Sequence, residues 1–130
     1  MRLVFGEKDA PYEEARVVVL PVPYDLSLSF LPGARRGPEA ILLASRELEP
    51  FLLELGAAPE EVGIHAAEPV PWVAGMAEES HRLIREEALK HLRAGKWLVA
   101  LGGDHSVTHP LVQAHREALG EAEALLRPGI

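Results

Sequence analysis

Two short apolar runs govern what this chain can become. Arg16-Val17-Val18-Val19-Leu20-Pro21-Val22 is rich in β-branched residues, and Trp97-Leu98-Val99-Ala100-Leu101 is apolar throughout. Neither alternates with polar residues, so both read as strands buried on both faces, the pattern of a parallel sheet. Pro21 and Pro23 close the first. Parallel strands need a long crossover between them, usually a helix, and the intervening sequence offers helical patterns. Gly37-Pro38-Glu39 opens one, with proline in the first turn and an acid at the positive end of the helix dipole. Ala40, Ile41, Ala44 and Leu48 continue it, and Pro50 interrupts it. A second runs from about Met76 to Ala94, with Met76, Leu83, Ile84, Ala88 and Leu92 on one stripe and Gly95 just past its end. A third starts near Pro110, carries Leu111, Val112, His115, Ala118 and Leu119, and stops at Gly120. Val62-Gly63-Ile64 reads as a short strand, and Ala124-Leu125-Leu126 as the beginning of another. Alternating strands and helices imply a three-layer α/β fold, a parallel central sheet flanked by helices with right-handed crossovers. Its end is anomalous. A central strand does not run into Arg127-Pro128-Gly129-Ile130 after three residues.

Composition narrows the function. A chain of 130 residues suits one domain with a real core. A net charge of −7 disfavours nucleic acid and anionic membrane as partners. The absence of cysteine removes thiolate metal sites and a cysteine nucleophile, and it fits a reducing cytoplasm. The first nine residues lack the apolar core of a signal peptide, and no apolar run approaches the ~20 residues needed to span a bilayer.

The chemistry concentrates in Gly102-Gly103-Asp104-His105-Ser106. This glycine turn lies between a strand and a helix, at the strand end where open α/β sheets bind ligands. His105 is a candidate metal ligand. Asp104 and Ser106 either orient it or cap backbone N–H groups of the turn. The other histidines read more plainly. Pro110 argues against a helical pair of His105 with His109. His81 and His91 sit among charges and read as solvated; His115 reads as packed. Arg35-Arg36 reads as solvated loop or subunit contact ahead of an anion site, and Trp72 and Trp97 read as core. A nucleotide-binding turn is disfavoured: the G-x-G-x-x-G spacing is missing and an acid sits where phosphate would approach.

Two segments together resemble the ureohydrolase superfamily of arginase and agmatinase. Val22-Pro23-Tyr24-Asp25 followed by Pro32-Gly33-Ala34-Arg35-Arg36-Gly37-Pro38 is similar to the agmatinase loop V-P-F-D…R-P-G-A-R-x-G-P. Gly102-Gly103-Asp104-His105-Ser106 matches the family's first metal motif. Glu47-Leu48-Glu49-Pro50-Phe51 and Val62-Gly63-Ile64 are agmatinase-like as well. The resemblance runs from about Val17 to Leu126 and departs at Leu26-Ser27-Leu28-Ser29-Phe30, where agmatinases carry a Gly-Thr-Ser-like segment. It implies an arginase-like fold and a cytoplasmic homo-oligomer. It also implies two Mn2+ ions per site, a small cationic guanidino substrate, and hydrolysis of a guanidino C–N bond to urea and an amine. His105 then corresponds to one metal ligand. The family's later motifs, Asp-x-His-x-Asp and Asp-x-Asp-x-x-Asp-Pro, do not occur in this sequence. The expectation is therefore an N-terminal portion of an agmatinase-like domain, shortened by truncation or a shifted reading frame. One imidazole cannot hold two hard dications against water, so this chain alone is expected to be inactive. The alternative is an inactive fragment whose open sheet edge makes it self-associate.

Overall fold

The computed structural model describes residues 2–25, 31–71, 73 and 75–126. In chain order the main elements are β1 (Val17–Val22), α1 (Gly37–Ala44), β2 (Ile64–Ala66), α2 (Ala77–Arg93), β3 (Trp97–Gly102) and α3 (Thr108–Leu126). The sheet is parallel and ordered β2-β1-β3. Val17 is opposite Ile64 on one side and Trp97 on the other, and Val22 is opposite Gly102.

Side-chain alternation divides the layers. Leu20, Val22 and Tyr24 turn towards α2 and α3, where they form the main core with Val70, Ile84, Ala88, Leu89, Val107 and Ala114. Pro21 and Pro23 share a cavity with Pro38 and Leu42 of α1, which places α1 on the opposite face. The three-layer α/β reading holds: α2 and α3 cover one face of the sheet and α1 the other.

Proline does not end β1. Pro21 lies within the central strand, opposite Leu101. The carbonyls of Val19 and Pro21 accept hydrogen bonds from Ala67 (2.9 Å) and Val70 (3.0 Å), so Pro21 lacks its N–H on the side where β2 has already stopped at Ala66. No ladder bond is lost there. The short strand expected at Val62–Ile64 starts later. Val62 closes a 3-10 turn, Gly63 takes φ 77°, and the extended residues are Ile64–Ala66.

The end of the chain departs most from expectation. α3 passes through Gly120 and includes Ala124, Leu125 and Leu126, which are not a strand. Glu121, Ala122, Glu123 and Ala124 are helix formers, and a single exposed glycine costs only about 1 kcal/mol. Arg93 of α2 reaches Glu121 at 2.8 Å and Glu117 at 3.4 Å, tying the two helices across their exposed faces.

β3 is not buried on both faces. Leu98 and Ala100 pack on the core, but Trp97 is 79% and Val99 47% exposed on the α1 side. α1 covers only the end of β3 nearest the glycine turn, where Gly37 approaches the Gly102 carbonyl. Trp97 is therefore not a core residue, and Trp72 lies outside the described residues, as does the Leu26–Phe30 segment.

Candidate functional site

The strand order places a switch point between β1 and β3. After β1 the chain crosses to α1 on one face; after β3 it crosses to α3 on the other. The ends of β1 and β3 meet there, at the carboxyl edge of the sheet, the edge at which such folds bind ligands. Both sequence motifs meet at that edge: Tyr24-Asp25 follows β1, and Gly103-Asp104-His105 follows β3.

Glycine is required for that meeting. A Cβ on Gly103 would lie 2.4 Å from the Tyr24 carbonyl oxygen and 2.7 Å from that of Val22. The backbones touch, and Asp104 N–H donates to the Tyr24 carbonyl at 2.8 Å. Gly102 is closed in by Val107 Cγ2, which would lie 3.0 Å from an added Cβ. Tyr24 is fully buried and its hydroxyl donates to the Pro71 carbonyl. Burial pushes its phenol upward, so it remains a neutral donor.

Asp104 caps the 3-10 turn His105–Val107. Its Oδ1 accepts from Ser106 N–H at 3.0 Å and from the Ser106 hydroxyl. These bonds lie within the turn itself. His105 projects from the capped turn and is exposed; its Nδ1 lies 3.2 Å from Thr108 Oγ1, a contact that orients the ring. Asp25 is 9% exposed, and its Oδ2 accepts from Gly33 N–H at 2.6 Å. That bond ties Gly33, ahead of α1, to the end of β1.

The rim does not amount to a metal pair. Among the described residues no three histidine, aspartate or glutamate side chains converge where a cation could be held. His105 offers one imidazole, and the Asp104 carboxylate is engaged with Ser106. The residues described do not fit two metal ions by themselves.

Two of the other histidines, His91 and His115, sit differently from their sequence reading. His109 is in the first turn of α3, where Pro110 is tolerated because the missing N–H has no partner there. It lines a groove with His81 and Arg85 and does not pair with His105. His115 is exposed, its Nδ1 2.9 Å from the Leu111 carbonyl. His91 is only 4% exposed and lies 2.9 Å from the Tyr12 hydroxyl, not in solvent. Its spacing from Ile84 and Ala88 puts it on the buried stripe of α2, a signal outweighed in the sequence by the charges beside it. Arg35 and Arg36 close a 3-10 turn before α1, with Arg36 exposed and Arg35 lining the cavity beside Pro38. Tyr24 is the contributor that composition and spacing did not single out.

Residues 15–127 match the model of the arginase family. The chain is 98% identical over 125 residues, 96% of its length, to an N(1)-aminopropylagmatine ureohydrolase of Thermus thermophilus. It is 37% identical over 111 residues, 85% of its length, to the agmatinase of Bacillus anthracis. It spans 43% and 38% of those two proteins. Among solved structures, the proclavaminate amidino hydrolase of Streptomyces clavuligerus superimposes with a TM-score of 0.77 at 24% identity, over 90% of this chain and 40% of that one. A Trypanosoma cruzi formiminoglutamase solved with Mn2+ gives a TM-score of 0.70 at 24% identity, over 82% of this chain and 38% of its own. These two likenesses concern the fold.

Proposed function

The chain belongs to the arginase family, and from that we propose that it is part of an agmatinase-type ureohydrolase whose substrate is N(1)-aminopropylagmatine or agmatine. The observation that carries this reading is the junction of the β1 and β3 ends. The loop motif begins at Tyr24-Asp25, the metal motif carries His105, and a direct Asp104–Tyr24 backbone bond joins them.

A guanidinium carbon is a poor electrophile because its charge is spread over three nitrogens. Attack by water on it calls for metal-assisted activation. In this reading His105 would supply one manganese ligand, its ring beside Thr108, on the turn that Asp104 and Ser106 hold. The further donors come from the part of the longer relatives that has no counterpart here. The site is cytoplasmic, the substrate is a small cation, and nucleic acid and membrane play no part.

The test is urea release from N(1)-aminopropylagmatine with added Mn2+. The expected result is none from this chain alone, and release when it is mixed with a polypeptide supplying the remainder of the Thermus relative. His105→Ala should abolish that release. Release undiminished by His105→Ala would overturn the reading.

A second reading is favoured by the exposed Trp97 and Val99. A strand edge with an uncovered apolar face invites association, so the chain also forms homo-oligomers. Light scattering that shows only monomer at high concentration would exclude this.

A further inference from the structure

Away from that junction, a cluster of bonded polar groups sits at the β2 edge of the sheet. β2 is an edge strand, yet its outer backbone groups are occupied. Ala10 N–H donates to the Ile64 carbonyl at 2.9 Å, Asp9 Oδ1 accepts from Ala66 N–H at 2.8 Å, and Arg2 donates to the Ala66 carbonyl. The segment 2–15 thus runs as a strap along β2. Covering an edge in this way prevents it from pairing with another chain.

The strap is clasped at Tyr12. Its ring stands between two imidazoles, His65 and His91, each with its centroid 5.5 Å away. Lys96 Nζ lies 4.8 Å from the ring centroid and donates to the carbonyls of Tyr12 and Ala15, both at 2.7 Å. The Tyr12 hydroxyl meets His91 Nδ1 at 2.9 Å. His91 Nε2 is buried with no hydrogen-bond partner among the described residues. Tyr12, His65 and His91 share a cleft with Glu68, Glu87 and Lys90.

The two imidazoles differ in their surroundings. His65 Nδ1 lies 3.3 Å from Asp9 and 2.9 Å from the Ala10 carbonyl, so a proton there has acceptors. A proton on His91 Nε2 has none. Glu87, one turn back on α2, is tied to Lys90 at 2.8 Å, Lys90 and Lys96 add positive charge, and His65 faces it from β2. We propose that His91 makes the clasp acid-sensitive: the strap is docked while the imidazole is neutral and is released when it takes up a proton, baring the edge of β2.

The direction of the linkage agrees. Burial holds His91 below the usual imidazole range, with Lys90 next in importance and Glu87 opposing. A released strap exposes a ring titrating near about 6.5. Docking is therefore fully favoured above that pH and weakens as pH falls below it, because the released form binds the proton more tightly.

Hydrogen exchange of the Ala10 and Ala66 amides reports docking, and exchange of the Val19 amide reports the sheet interior. Relative to intrinsic exchange, Ala10 and Ala66 should lose several-fold more protection than Val19 between about pH 7.5 and about pH 5.5, a window that brackets the free imidazole. His91→Gln should flatten that difference, and Tyr12→Phe should lower strap protection already at the upper pH. Strap protection that does not change with pH would overturn the proposal. So would a dependence that persists in His91→Gln and disappears in His65→Gln.

Discussion

Among single residues, the clearest constraint is Gly103. Its lack of a side chain lets the end of β3 touch the end of β1. Gly103→Ala should lower unfolding free energy by about 2–4 kcal/mol, because backbone and not a flexible side chain must move. Gly95 serves as a control: its φ is 78° but no atom lies within 4 Å of an added Cβ. Gly95→Ala should cost only about 1–2 kcal/mol, the left-handed penalty alone. Urea denaturation measures both, and equal losses would refute the argument from close approach. Asp104→Ala removes the acceptor for Ser106 N–H and should cost about 1 kcal/mol. These residues were legible as a motif. Their reason was not, because Tyr24, the contact that excludes a Cβ, lies 79 positions away in sequence.

For the elements, periodicity placed α1, α2 and the core of β1 and β3 closely. It failed where a local punctuation signal competed with tertiary context. Pro21 stays in a central strand because the neighbour on its N–H side has ended. Gly120 stays in a helix because the segment after it is helix-forming and one exposed glycine costs too little to break it. Gly120→Ala tests this directly. No atom of the described residues lies within 4 Å of an added Cβ, so the substitution should stabilise the protein by about 1 kcal/mol if the position is helical. A neutral or destabilising result in thermal unfolding would place Gly120 at a break. Arg93→Ala should change stability little, since exposed ion pairs are weak in water.

Across the molecule, the two sheet edges are treated differently. The β2 edge is covered by the strap; the β3 side presents Trp97 and Val99. Replacing both with lysine should reduce self-association in sedimentation experiments with little loss of thermal stability, as neither contributes to the core. Loss of folding on that change would mean the face is part of the chain's own packing. Calorimetric titration with Mn2+ should show no tight binding of two equivalents, since no cluster of metal-ligating side chains forms among the described residues. Two tight equivalents would show that this chain holds a complete centre.

Hydrophobic period, and glycine and proline chemistry read locally, were enough to establish the α/β architecture, the parallel sheet and the position of the histidine turn. Packing settled the rest: which apolar residues are covered, that His91 is buried while His115 is not, and that Pro21 and Gly120 do not end their elements. Those outcomes depend on what lies opposite each residue. A partner distant in sequence leaves no mark on the local pattern.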